Sequence, residues 1–211
     1  MTILADNGPP SVLVLGDGPL AVTISGRLRR EGLPVVVIGS LDETAVAQAI
    51  EGAVTLGALV IVAPEPQIGI RLLDVTDSHL ESSLAQFLDL FGALRLAIPH
   101  LIDGGTVLAI TTRGYLGAWG GAHEMAFSGA VAGLLRSVAL ENMDRNVRAN
   151  LIAVELPRAG VASGSDEIAE LANYLLSAKA AAVNGELILA NGGRSLKIRE
   201  ARDWRARRSP A

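Results

Sequence analysis

The sequence predicts an α/β fold, a doubly wound parallel sheet clad by helices on both faces in three α/β/α layers. Three observations predict it. Short apolar runs alternate with longer helical stretches along all 211 residues. The runs are continuous rather than alternating apolar with polar, as strands buried on both faces require. Half the residues are hydrophobic but only 3% are aromatic, so the core must be Val, Leu, Ile and Ala.

Val12–Leu15 is the first strand; it ends in Gly16-Asp17-Gly18, from which a helix runs to Arg30. Gly32-Leu33-Pro34 stops that helix, and Val35–Ile38 is a second buried strand. Asp42–Ala53 reads as a helix and Ala58–Ala63 as a third strand, closed by Pro64 and Pro66. Asp77 is the expected N-cap of a long helix reaching about His100. Gly104-Gly105 separates it from the strand Thr106–Ile110, and a Gly-rich loop leads to a helix from about Glu124 to Asn142. Val147–Val154 is the fifth strand, Ser165–Ala178 a helix and Glu186–Leu189 the last strand. With right-handed crossovers this order makes one Rossmann-type domain over residues 1–211. Residues 1–10 read as a loose lead-in and 195–211 as a basic tail.

Several classes are argued against. A net charge of −4 lacks the basic face of a nucleic-acid binder. The chain has no cysteine, which rules out disulfides and thiolate metal sites and fits a reducing compartment. No run reaches the ~18 apolar residues of a spanning helix. MTILADNGPP lacks the charged and then apolar regions of a secretory leader. The expectation is a soluble, cytoplasmic protein with no metal, membrane or nucleic-acid partner.

Gly16-x-Gly18-x-x-Ala21 follows the first strand and opens the first helix, where a dinucleotide fingerprint belongs. Such glycines let the backbone turn tightly and approach a pyrophosphate at the helix N-terminus. The second strand ends in Gly39-Ser40 instead of the usual acidic residue, with Asp42 two positions late. Ser40 is therefore the candidate ribose contact, and Ala63, closing the third strand, completes the candidate cofactor set. The same glycines would equally serve a turn that only reverses the chain.

Three segments carry a family resemblance. HLESSLAQFLDLFGALRLAIPHLIDGGTVLAITT starts at His79; AFSGAVAGLLRSVALENMDRNVRANLIAV includes Arg148 and Asn150; VNGELILANGG spans Val183 to Gly193. In order, they resemble the fourth helix and fifth strand, the fifth helix and sixth strand, and the closing strand of the short-chain dehydrogenase/reductase family. That family works with an Asn, a Ser and a Tyr-x-x-x-Lys pair, the tyrosine shuttling the proton. Alignment on AVAGL places the tyrosine position at Glu124, the lysine at Ser128, the serine at Thr111 or Thr112 and the asparagine at Asp89. All four are replaced. Tyr115 has no lysine four residues on, position 119 being Trp119. The resemblance also implies two losses. Between Ile38 and Ala58 there is room for one helix only, so the wall of the adenine pocket is missing; and after Pro157 a short loop stands where the family has its substrate lid.

In the family the two long helices, here about 77–100 and 124–142, pair across a two-fold axis. The second carries Ala and Gly at helical spacing, which permits close approach. The resemblance thus implies a structural, catalytically incompetent subunit, without catalytic residues of its own. Its partner would be a homologous active subunit in a hetero-oligomeric NAD(P)-dependent alcohol or hydroxyacyl-thioester dehydrogenase. NAD or NADP would serve the complex, whether or not this chain binds it. Two alternatives stand: an atypical active oxidoreductase with Thr111 or Tyr115 near the chemistry, and a nucleotide or small-ligand sensor. His79, His100 and His123 read as scattered surface or helix-end residues, and Glu65, Glu124 and Glu155 as solvated carboxylates near strand ends. Arg202, Arg205, Arg207 and Arg208 surround Trp204 in a tail that is solvated or reaches a partner's site.

Overall fold

The computed structural model describes residues 9–53, 55–155 and 164–196. The strands are β1 (Ser11–Leu15), β2 (Val35–Ile38), β3 (Leu56–Val62), β4 (Leu101–Thr112), β5 (Arg148–Val154) and β6 (Leu187–Ala190). The helices are α1 (Pro19–Arg30), α2 (Glu43–Glu51), α3 (Asp77–Ala97), α4 (Ala122–Glu141) and α5 (Ser165–Leu176). All six strands run parallel in one sheet, in the order β2-β1-β3-β4-β5-β6.

The side-chain period of two divides the apolar strands between two cores. Leu13, Leu15, Ile61, Ala109 and Leu151 meet Val46 of α2, Leu90 and Leu94 of α3, and Phe127 and Val131 of α4. Val12, Val14, Val60, Ile110 and Ile152 face the other way, onto Ile24 and Leu28 of α1 and Ala172 and Leu175 of α5. The result is the doubly wound, Rossmann-type three-layer arrangement.

Strand β2 is one edge of the sheet and β6 the other. The order 2-1-3-4-5 is the flavodoxin-like one, whereas the dinucleotide-binding order 3-2-1-4-5-6 sets another strand outside the second. With only α2 between β2 and β3, no strand among the described residues covers that side, and Val36 and Val37 are partly exposed.

Some boundaries differ from expectation. Leu56 pairs with Leu101 but Ala58 with Thr106, so Gly104-Gly105 form a bulge inside β4 and do not precede it. The N-cap of α3 is Thr76, not Asp77, and its backbone N–H donates to His79 Nδ1 at 3.0 Å. Helix α4 starts at Ala122, two residues before Glu124.

Two buried polar side chains fasten the β5–β6 end. Arg148 donates to the carbonyls of Leu175 (2.8 Å), Ser177 (3.1 Å) and Ala180 (3.1 Å) and to Thr106 Oγ1 (2.9 Å), satisfying the end of α5. Asn150 donates to Val183 O and accepts from the Glu186 N–H. Among the described residues, no helix is long and apolar enough to cross a membrane. The lead-in up to residue 8, the loop after Pro157 and the arginine-rich tail with Trp204 lie outside the described residues.

Candidate functional site

Ligands of doubly wound sheets bind beyond the carboxyl ends of the strands, where the winding reverses. Here the winding reverses between β1 and β3. Gly16 leaves β1 at φ +133° with its N–H on Ile38 O, and a Cβ there would lie 2.8 Å from Val62 O. Only glycine fits. Gly18 caps α1 with φ −76° and ψ 169°, and a Cβ built on it meets nothing within 4 Å. Ala21 is fully buried under the sheet. These are the fingerprint's three roles in order: tight turn, open approach to the backbone, close helix–sheet packing. The first turn of α1 carries Pro19 and no carboxylate, so its N-terminal dipole is uncompensated from within the helix. The residues present fit a phosphate group.

The adenosine side is less built. The Ser40 hydroxyl accepts the Asp42 N–H at 2.9 Å, and Asp42 caps α2 instead of reaching toward the crevice. Asp17 packs its Cβ 3.2 Å from where a Gly39 Cβ would stand, and the Ala63 N–H is taken by Ile110 O.

The family-aligned positions separate. Thr111 is buried and its hydroxyl donates to Thr112 O at 3.1 Å. Ser128 is buried against Gly114, where an added Cβ would lie 2.7 Å from its Oγ and 2.6 Å from Met125 Sδ. Glu124 is not a solvated carboxylate: it is 5% exposed and accepts from Ser83 Oγ of α3 at 3.4 Å. His123 Nε2 stands 3.9 Å from the same Glu124 Oε1. Asp89 lies on the exposed face of α3, and the α3 residue facing Glu124 is Ser83. Nor are the histidines all scattered, since the His79 and His123 rings lie 5.6 Å apart and His123 is buried. His79 keeps the helix-end role, with the Thr76 backbone N–H directed at its Nδ1. Tyr115 sits part-exposed in a 3₁₀ turn, Arg113–Leu116. Among the described residues, no cluster of three His, Asp or Glu could hold a metal ion.

At the carboxyl ends of β4, β5 and β6, sequence reasoning missed the Arg113–Glu155 pair and the burial of Asn191. Arg113 Nε donates to Glu155 Oε1 at 2.8 Å, with both side chains mostly buried, so Glu155 is not solvated either. Glu65 is exposed. Asn191 directly follows β6 and is 7% exposed. Its chain then turns back through Gly192 and Gly193, both at positive φ, and closes with Arg194 N–H on Asn191 O. Two successive positive-φ positions explain the Gly-Gly.

This geometry defines the class: the chain has the fold of the short-chain dehydrogenases/reductases. A short-chain dehydrogenase/reductase from Serratia marcescens superposes with a TM-score of 0.73 at 22% identity, covering 87% of this chain and 96% of that one. The acetoin dehydrogenase YohF from Salmonella typhimurium matches at 0.77 and 19% identity, over 89% and 98% of the chains. BdcA, solved in complex with NADPH, matches at 0.72 and 19%, over 87% and 93%. No protein-family model and no curated protein matches the chain by sequence.

Proposed function

We propose that this chain is a catalytically incompetent short-chain dehydrogenase/reductase subunit, working in the cytoplasm beside an active homologue in an NAD(P)-dependent dehydrogenase of alcohols or hydroxyacyl thioesters. The observation that carries this is the state of position 124. Where the family alignment puts the tyrosine there is a buried carboxylate, engaged by Ser83 and His123 of the two long helices, and position 128 is a serine with no positive charge. A proton shuttle needs a group presented to the substrate with its proton affinity tuned by a neighbour. Glu124 is turned to α3, where it accepts from Ser83 Oγ.

The outer faces of the same helices support the partner. Leu80, Leu84, Leu88 and Phe91 form one apolar stripe along α3, each about half exposed. On α4, Gly129 and Gly133 open onto empty space. An apolar ridge beside a small-residue groove on the neighbouring helix suits close packing against another helix pair. NAD or NADP supplies hydride transfer in the complex. In this chain the Gly18 backbone and the N-terminus of α1 would hold its pyrophosphate, with Ser40 the ribose candidate.

The test is to prepare the chain alone and together with a full-length homologue from the same genome that carries Tyr-x-x-x-Lys, measuring mass and NAD(P)H turnover. A stable, active hetero-oligomer with an inactive lone chain is expected, and Leu84→Glu with Leu88→Glu should abolish assembly. Turnover by the lone chain overturns the reading. The open cradle at Gly18 favours a second reading, nucleotide binding without turnover; saturable NADH binding by the lone, inactive chain would establish it.

A further inference from the structure

Strand β2 ends the sheet on the side where the dinucleotide-binding order sets a further strand, and its outer edge is regular and apolar. Val12 N–H donates to Pro34 O and Gly16 N–H to Ile38 O, each at 2.8 Å. With the strand period of two, Pro34, Val36 and Ile38 turn their backbone groups to β1, and Val35, Val37 and Gly39 turn theirs outward. Arg29 of α1 bears this out, its Nη2 donating to Val35 O at 3.2 Å. Beyond that edge no strand stands among the described residues. Val36 and Val37 are partly exposed and no residue of β2 is charged. An edge of this kind is a template for another strand.

We propose that β2 pairs antiparallel with β2 of a second copy of this chain, joining two sheets across a two-fold axis at Val37. In that register the two Val37 residues exchange both of their backbone hydrogen bonds, and Val35 of each copy stands opposite Gly39 of the other. Val36 meets Ile38 across the pair on the α2 side, an apolar contact. The charges select the same arrangement. Val35 packs with Leu28 on the face turned to α1, and Gly39 shares that face, where a Cβ on it would lie 3.2 Å from Asp17 Cβ. A two-fold axis normal to the sheet keeps each face on its own side. Arg29, beside Val35, therefore approaches Asp17 of the second copy, beside Gly39, and symmetry makes two such pairs of exposed, opposite charges. The contact uses neither α3 nor α4, and holds whether or not a partner subunit docks on those helices.

Sedimentation equilibrium of the full chain tests this in the Leu84→Glu/Leu88→Glu background, which takes the apolar stripe of α3 out of play. Mass should rise with concentration from monomer toward dimer, and hydrogen exchange at the Val37 amide should slow in step. Val37→Pro removes both central N–H donors without touching a bond to β1, and Val37→Lys sets a charge on the edge. Each should weaken the dimer at least about tenfold. Val37→Lys keeps the test valid should the proline variant fold poorly. A charge exchange checks the register: Arg29→Asp and Asp17→Arg should each weaken self-association, and an equimolar mixture of the two should recover it. Only the mixed pair sets opposite charges together at both ends. A chain that stays monomeric up to its solubility limit, a dimer indifferent to both Val37 variants, or a mixture no tighter than either single variant overturns the proposal.

Discussion

The two glycines of the first loop are the sharpest test of which backbone features are structural and which await a ligand. In Gly16→Ala the new methyl must enter a backbone at φ +133° and stand 2.8 Å from Val62 O, a main-chain atom of a central strand that cannot swing aside. A conformation close to glycine-only costs about 1–3 kcal/mol, and the clash adds about 1 more, for a total of about 2–4 kcal/mol. For a chain of this size that lowers Tm by roughly 4–16 °C. Gly18→Ala starts from φ −76° with nothing within 4 Å of the added carbon. Exchanging a glycine N-cap for alanine costs about 0.5 kcal/mol, and the stiffer unfolded chain returns a similar amount, so the net change is near zero. Thermal and urea unfolding of the two variants measure the contrast, and NADH titration adds the functional arm. If the cradle takes phosphate, Gly18→Ala loses about tenfold in affinity at wild-type stability, the methyl standing between backbone and ligand. Equal stabilities for the two variants would refute the division of roles drawn from the geometry.

Two further predictions concern stability. Arg148→Met removes four hydrogen bonds and leaves the Leu175, Ser177 and Ala180 carbonyls without their donor, so unfolding by urea should show a loss of about 3–5 kcal/mol; wild-type stability would show that the guanidinium does not hold the end of α5. The hydrogen bond from Arg27 holds the Glu170 carboxyl below its ordinary pKa. A folded-state pKa below the unfolded one means stability that is present above the ordinary carboxylate range and lost as pH falls through the folded value. The Glu170 side chain is exposed, so the Tm deficit of Glu170→Gln should be small at neutral pH and vanish on acidification; a deficit that grows as pH falls contradicts the assignment.

The strands and helices were legible because both faces of every central strand are covered. Burial on two sides turns each central strand into an uninterrupted apolar run, so the runs at Val12, Ala58 and Val147 needed no tertiary knowledge, whereas the expected second buried strand, Val35–Ile38, is a partly exposed edge. The bulge at Gly104-Gly105 was not legible as such, since a glycine pair reads as a break whether or not hydrogen bonding resumes across it. The Arg-x-Asn of β5 was visible only as a family echo. The carbonyls that Arg148 holds lie 27 to 32 residues further on, in a helix end no local pattern connects to it. The same limit hid the Arg113–Glu155 pair, whose partners are 42 residues apart.

The helix α3 shows where alignment and geometry part. A motif match along the chain led to Asp89, but a helix rotates roughly 100° per residue, so Ser83 and Asp89 differ by roughly 240° around the axis. The buried positions Ser83, Leu90, Ala93, Leu94 and Ala97 trace the inward stripe, and Asp89 falls off it. That periodicity was in the sequence and pointed to Ser83. The serine it selects meets Glu124, so at this point the two long helices are joined by a buried hydroxyl–carboxylate contact, with His123 alongside. A carboxylate so placed ties α3 to α4, and α3 carries the apolar stripe on its outer side. Loss of the proton shuttle and retention of the helix pair are therefore connected in the proposal. Position 124 serves the packing of the two helices on which a partner would dock, and substituting it should disturb assembly before it disturbs any chemistry.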